Sequence, residues 1–224
     1  MNLPENVTRI APSKPKSARE KSAIAVLQDR FGGVAQLVAH RNGQLFRADL
    51  SQMTELSSCY ARDRERALGR LEKIPSRELL EEQHEALRAA LYEPASEREA
   101  RAILGLMLEG IPAAASGATQ SYGDALAFAV IHADDDRDPE TYPHWRGFSA
   151  AVLFAATRRI WTTTTFTPSI AEVIKTAREV RADYYAALAR TNRLLELRAN
   201  ARDVIADTRR WIGADDLHED DEPF

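Results

Sequence analysis

Two arginine pairs lie next to tryptophans in this 224-residue chain: Arg158-Arg159 with Trp161, and Arg209-Arg210 with Trp211. Guanidinium groups neutralise phosphates and an adjacent indole can stack on an unpaired base, so this combination predicts contact with single-stranded nucleic acid. Lys175 and further arginines between the two pairs extend the basic surface. The alternative is a solvated helix face, on which carboxylates pair with these arginines at i,i+4 spacing. The carboxylates concerned are Glu172, Glu179, Asp183, Glu196, Asp203 and Asp207.

Sequence patterns that carry catalysis are missing from the chain. The pair Gly32-Gly33 is not followed by the Gly-Lys-Ser/Thr of a phosphate-binding loop, and neither H-E-x-x-H nor G-x-S-x-G occurs. Nearly all carboxylates stand beside arginines at surface spacing, whereas acid–base catalysis needs carboxylates that are desolvated and have shifted pKa values. The sequence therefore predicts a protein that is not an enzyme and that uses no cofactor.

An acidic segment in the second half of the chain imitates part of a calcium-binding loop. Asp134, Asp136 and Asp138 alternate as such a loop begins. The loop also needs a glycine at its sixth position and a bidentate glutamate at its twelfth, and Pro139 and Trp145 stand there instead. His132 lies nearby, so a divalent-ion site is one interpretation, but the sequence favours a solvated acidic loop and no metal site.

Composition and charge restrict the class of protein further. The formal charge is −4, and removing the six negative charges of residues 213–224 leaves +2, which is only mildly basic. Cys59 is the single cysteine, so neither an intrachain disulfide nor a cysteine-rich zinc site is possible within the chain. No apolar run approaches the ~20 residues of a membrane span, and the first residues lack a signal-peptide core, which predicts a cytoplasmic protein.

Hydrophobic residues recur at helical spacing along most of the chain, which predicts an all-α fold of about six or seven helices. The sequence predicts a flexible arm at residues 1–16, an N-terminal helical part at 17–112, a C-terminal helical group at 118–212, and a disordered acidic tail at 213–224. Within the N-terminal part, S-x-x-E capping boxes begin helices at Ser17 and at Ser96, and a further helix covers about residues 48–73. In the C-terminal group, one helix contains Trp145, Phe148 and Ile160.

The longest helix is expected to follow the threonine run 162–165, which is β-branched and predicts an extended connection. Thr167 as N-cap with Pro168 at the first helical position is one start signal, and Ser169 with Glu172 is an alternative capping box. The apolar pattern then continues beyond Trp211 to Gly213, where the helix is expected to end.

Residues 149–180 resemble a stretch of the phage lambda-type replication protein P family, and of related prophage proteins in alphaproteobacteria. The shared pattern is a helix that ends in an Ala-x-Arg-Arg segment, a short polar loop, and then Phe-x-Pro-Ser with an acidic residue three positions later. In this chain the pattern is carried by Ala156, Arg158, Arg159, Phe166, Pro168, Ser169, Glu172 and Arg178-Glu179. The resemblance implies a helicase loader: an adaptor that binds the replicative helicase and delivers it to origin DNA without hydrolysing ATP.

Two other functions are compatible with the sequence. The long helix and its alanine-rich faces suit a structural or scaffolding protein that forms a homo-oligomer. The acidic tail, with Pro223-Phe224 after the carboxylates, suits a regulator that binds another protein.

Overall fold

The computed structural model describes residues 18–43, 74–111, 119–133, 147–164 and 166–216, without the side chains of 18–22, 119–120, 201 and 203–216. These residues form six helices and no strand, so the all-α prediction is confirmed for them. The predicted arm, the predicted helix at 48–73, the acidic loop at 134–138 and residues 217–224 lie outside the described ranges. The helices are α1 (Ala18–Asn42), α2 (Arg77–Tyr92), α3 (Glu97–Glu109), α4 (Thr119–Ile131), α5 (Ala150–Thr163) and α6 (Ile170–Asp216).

The helices belong to two compact units that are each discontinuous along the chain. The first contains the described residues up to Ala35 and those between Ala89 and Tyr184, and the second contains those between Gln36 and Arg88 and those from Tyr185 onward. This division differs from the two consecutive parts that the sequence predicts. Among the described helices, none is long and apolar enough to cross a membrane.

In the first unit, α3 packs against α4 and α5, and the apolar stripe of each helix turns inward. Phe31 of α1 joins this core through Phe154 of α5, with ring centroids 6.0 Å apart and the rings tilted. The large core residues that α3, α4 and α5 bury include Ile103, Leu104, Met107, Leu126, Val130, Val152, Leu153 and Phe154.

In the second unit, the start of α2 and the middle of α6 share a smaller apolar cluster. Ile74, Leu80, Leu194 and Leu197 form its buried part, and Leu195 packs against it. Arg41, near the end of α1, is also buried in this unit, and its guanidinium donates to the side-chain oxygen of Gln83 on α2.

Helix starts follow local capping chemistry where the sequence indicates it. The Ser96–Glu99 box of α3 is confirmed: the Ser96 hydroxyl accepts from the Glu99 N–H at 3.2 Å, and the Glu99 carboxylate accepts from the Ser96 N–H at 3.1 Å. The start of α5 was predicted wrongly, because Phe148 precedes the helix and Ser149 is its N-cap. Gly147, at φ 64°, turns the chain immediately before that cap.

Two helices, α5 and α6, run further than the sequence predicts. The first helix, α1, passes through Gly32-Gly33 without a break and ends at Asn42. At the end of α5, Thr162 and Thr163 are helical and not extended, and their hydroxyls donate to the Arg159 carbonyl one turn earlier, at 2.8 and 2.9 Å. The last helix, α6, continues past Gly213 to Asp216. A single glycine lowers helix stability by only about 1 kcal/mol, so it does not by itself end a helix.

Candidate functional site

Three of the residues that carry the resemblance, Phe166, Pro168 and Ser169, lie between α5 and α6. After α5, Thr164 is extended, with φ −128° and ψ 144°. Its hydroxyl donates to the Phe166 carbonyl at 3.2 Å and accepts from the Phe166 N–H at 3.4 Å. Both backbone polar groups of Phe166 are therefore held by one side chain.

A capping box at Ser169 begins α6. The Ser169 N–H donates to the Glu172 carboxylate at 2.7 Å, and the Glu172 N–H donates to the Ser169 hydroxyl at 3.3 Å. The Ser169 carbonyl accepts the first helical bond, from Val173 at 3.1 Å. Of the two predicted starts, the Ser169 box is confirmed and the Thr167 N-cap is wrong, since the box satisfies the free amide groups and leaves Pro168 before the helix.

Electrostatics at this helix start favour an ionised Glu172. The hydrogen bond from the Ser169 N–H lowers the pKa of Glu172 most, followed by the Ser169 hydroxyl, and the charge of Lys175 lowers it further. The pKa of Tyr122 on α4 is raised, first by partial burial and then by the negative charge of Glu172. The Tyr122 hydroxyl donates to the Pro168 carbonyl, so α4 also holds the segment.

Phe166 is the residue that this helix start does not explain. The hydrophobic staple of a capping box is formed by the residue before the N-cap and the fourth helical residue. Pro168 and Val173 occupy these two positions, and both are buried. Phe166 remains 74% exposed, the highest value among the large hydrophobic residues of the described chain that are exposed. An aromatic side chain is thus presented to solvent on an ordered backbone.

The arginines of the first predicted arginine–tryptophan cluster, Arg158 and Arg159, are bonded to other side chains of the first unit. Arg159 donates to the Asp183 carboxylate at 2.7 Å, and Glu179 lies 3.9 Å away. Arg158 donates to the side-chain oxygen of Gln28 on α1 at 2.9 Å. The carboxylates of α6 therefore do balance Arg159, but across two helices and not at i,i+4 spacing within one.

Trp161 is half-buried and its polar group is already bonded. The indole N–H donates to the Met107 carbonyl at 3.0 Å. The ring also lies over Gly110, where a Cβ would be 2.7 Å from the indole nitrogen. This glycine allows the tryptophan to cover the end of α3, so the indole is placed as a packing group of the first unit.

Several arginines of α6 hold backbone carbonyls. In the first unit, Arg181 is buried, donates to the Gly147 carbonyl at 3.3 Å and stacks on Phe148 at 4.8 Å. In the second unit, Arg190 donates to the Arg41 carbonyl at 3.2 Å, which lies in the last turn of α1. Lys175 is exposed near the start of α6. The side chains of Arg209, Arg210 and Trp211 lie outside the described residues, although their backbone is helical.

A groove in the second unit was missed by sequence reasoning. It has a volume of about 400 Å³ and lies between the first turns of α2 and the middle of α6. Its arginines were recognisable only as a charged helix face, because their convergence depends on which helices are neighbours. The residues that line it are Arg77, Glu81, Leu195, Arg198, Ala199 and Arg202.

In the described part of the chain, no group of three or more His, Cys, Asp or Glu residues converges to hold a metal ion. Asp134, Asp136 and Asp138 lie outside that part. His132 is exposed, and its ring lies 4.3 Å from that of Phe128, one turn earlier on α4.

Comparison with known proteins found no match to a family model, to a curated protein or to a solved structure.

Proposed function

We propose that this protein is a non-enzymatic accessory protein of DNA replication, which binds a replicative helicase through the segment around Phe166. The proposal starts from the resemblance of residues 149–180 to the replication protein P family. The observation that carries it is the 74% exposure of Phe166 on a backbone that Thr164 holds by two hydrogen bonds. Packing and capping account for Pro168, Ser169 and Glu172, but not for an aromatic ring in solvent.

The geometry of the segment suits recognition of another protein. Aromatic residues are frequent among the few interface residues that dominate binding energy. A side chain on an ordered backbone loses less conformational entropy on binding than one on a mobile loop, and this raises affinity. The Ser169 box and the Tyr122–Pro168 hydrogen bond fix the chain on the C-terminal side of Phe166, while Thr164 fixes it on the other.

Single-stranded DNA is a second proposed partner, with a smaller contribution. Lys175, Arg158 and Arg159 are exposed in the first unit, so they are accessible to phosphates. Arg159 would have to exchange its bond to Asp183 for a phosphate contact, and this exchange reduces its net contribution to the free energy of DNA binding. Because few cations take part, we expect weak binding that decreases strongly with salt concentration.

The test is capture of the purified replicative helicase of the host by the full chain, with Phe166→Ala as the variant. Phe128→Ala is the matched control, because Phe128 is also exposed, at 66%, lies in the same unit and is outside the resemblance. If Phe166 is a dominant contact worth about 2 kcal/mol or more, its removal weakens binding at least ~30-fold, whereas the control binds like the natural sequence.

Two outcomes contradict the proposal. One is that the unchanged chain does not bind the helicase at all, and the other is that both phenylalanine variants bind equally well. Thermal unfolding of the two variants serves as a folding check. Both changes concern exposed side chains, so the free energy of unfolding should change by no more than about 0.5 kcal/mol.

A further inference from the structure

The arginine groove of the second unit combines cationic walls with an apolar floor. Arg77 of α2 and Arg202 of α6 are both exposed at its sides. Leu195 and Ala199 contribute its aliphatic part, and Leu195 is supported from below by the buried cluster around Leu80. A chain that carries carboxylates together with apolar groups would match both kinds of surface.

The cations of the groove are held in place by neighbouring groups. Arg198 donates to the carbonyls of Ile74 and Pro75 at 3.0 and 3.1 Å, which fixes its guanidinium beside the start of α2. Arg77 donates to the Glu81 carboxylate at 2.7 Å, with both side chains more than half exposed. Such exposed pairs contribute little to stability, so an incoming carboxylate can share Arg77 at small cost.

Glu78 lies beside the groove, and the charges of two groove arginines make a minor contribution to its pKa. Its pKa is lowered by a hydrogen bond from its own N–H, then by the Ser76 hydroxyl, and also by the charges of Arg202 and Arg198. Arg77, Arg198 and Arg202 together with Glu78 and Glu81 carry a formal net charge of +1, by 3 − 2 = 1. A net positive lining favours an anionic group over a cationic one.

We propose that this groove binds the acidic segment 215–222 of a second copy of the same chain. Charge complementarity argues for this occupant, because residues 213–224 contain six carboxylates and no lysine or arginine. The same segment contains Leu217, and Phe224 follows it, so apolar side chains are available for the aliphatic floor. The contact is independent of the proposed helicase contact, which lies in the first unit.

The length of α6 excludes the acidic segment of the same molecule. From Arg202 to Asp216 the helix rises by roughly 21 Å, at about 1.5 Å per residue. The six residues from Asp216 to Glu222 extend at most about 20–22 Å, at roughly 3.3–3.6 Å per residue. No length remains for the chain to reverse direction, and most of the groove lies beyond Arg202, toward Leu195. A second copy has no such restriction.

The experiment is light scattering of the full chain over a range of concentrations, at about 0.1 M and about 1 M salt, where the Debye length is roughly 10 and 3 Å. We expect self-association at the lower salt concentration that is lost at the higher one. Arg202→Glu should raise the dissociation constant about tenfold, since it removes one contact and adds repulsion. Arg193→Glu is the matched control, because Arg193 is also exposed on α6 but does not line the groove; it should associate like the natural sequence.

A charge exchange identifies the occupant. The double variant Asp220→Lys, Asp221→Lys should also self-associate about tenfold more weakly, but a mixture with Arg202→Glu should form mixed oligomers, because the Lys segment of one chain matches the Glu groove of the other. Circular dichroism checks that each variant keeps its helical content. A chain that is monomeric at every concentration, equal effects of Arg202→Glu and Arg193→Glu, or a mixture without recovery would each overturn the proposal.

Discussion

Gly147 is a position where the addition of a single methyl group is expected to have a large effect on stability. Its backbone has φ 64°, and a Cβ there would lie 2.7 Å from the Ile131 carbonyl oxygen. That oxygen belongs to the backbone at the end of α4, so it cannot turn away as a flexible side chain would. The Gly147 N–H also donates to the Ala133 carbonyl at 2.9 Å, and its carbonyl accepts from Arg181. We therefore expect Gly147→Ala to destabilise the protein.

The magnitude follows from three contributions. The left-handed backbone costs a residue with a Cβ about 1–2 kcal/mol. The close contact with the carbonyl requires a local shift that costs about 1–3 kcal/mol, as overpacking does in cores. Alanine also lowers the conformational entropy of the unfolded chain relative to glycine, and this stabilises the folded state by about 0.4–1 kcal/mol. These contributions sum to a loss of about 1–5 kcal/mol in the free energy of unfolding, and the central value of about 3 kcal/mol lowers the melting temperature by roughly 6–12 °C.

Gly33→Ala is the matched substitution with the opposite expected sign. Gly33 lies inside α1, and an added Cβ there meets no atom within 4 Å. Alanine is favoured over glycine in a helix by about 0.5–1 kcal/mol, so this variant should be more stable. Urea denaturation followed by circular dichroism measures both variants. The reasoning is refuted if Gly147→Ala unfolds within about 0.5 kcal/mol of the natural sequence, or if the two substitutions change stability in the same direction.

Two further predictions concern ionisable groups of the first unit. Burial raises the pKa of Tyr184 from 10.0 to about 12, so its contribution to stability is complete below pH 10 and is lost as the pH rises toward 12. Tyr184→Phe should remove this loss of stability at alkaline pH. At neutral pH it should change the free energy of unfolding little, since the hydroxyl has no hydrogen-bond partner among the described residues. A decrease of more than about 2 kcal/mol in the free energy of unfolding at neutral pH would contradict this. The pKa of Glu172 is lowered in the folded protein, so its contribution is present above the ordinary carboxyl value of about 4.3 and is lost as the pH falls below it. Glu172→Gln should weaken the dependence of unfolding on acid pH, and Ser169→Ala should lower the free energy of unfolding by about 1 kcal/mol. Unfolding curves that are unchanged in both variants would show that the capping box contributes nothing to stability.

Features that depend on neighbouring residues in the chain could be predicted from the sequence. The boxes Ser96–Glu99 and Ser169–Glu172 are local, because three residues of a helix are enough to bring the two side chains together. The choice between Thr167 and Ser169 as N-cap could not be made in advance, because both patterns satisfy the same local rule. The extension of α5 through Thr162 and Thr163 was missed because the low helix propensity of threonine is a weak preference, which the context of a packed helix overrides.

Features that depend on helix neighbours could not be predicted. The sequence shows that Arg190 and Arg198 recur on one long helix, but not that each faces a backbone carbonyl of another segment. The groove around Arg202 and the bond from Tyr122 to Pro168 arise in the same way, from pairs of helices that are distant in the chain. The exposure of Phe166 also could not be predicted, since it depends on which residues pack around the start of α6.

The carbonyl-binding arginines of α6 limit which substitutions this helix tolerates. At Arg181 a lysine would preserve the net charge of the protein, but an ammonium lacks the planar guanidinium that lies over the Phe148 ring while it donates to the Gly147 carbonyl. At Arg190 and Arg198 a single nitrogen makes the bonds to the carbonyls, so a lysine ammonium could replace it there. Among sequences that share this architecture, we therefore expect arginine to persist at position 181, while positions 190 and 198 exchange arginine for lysine.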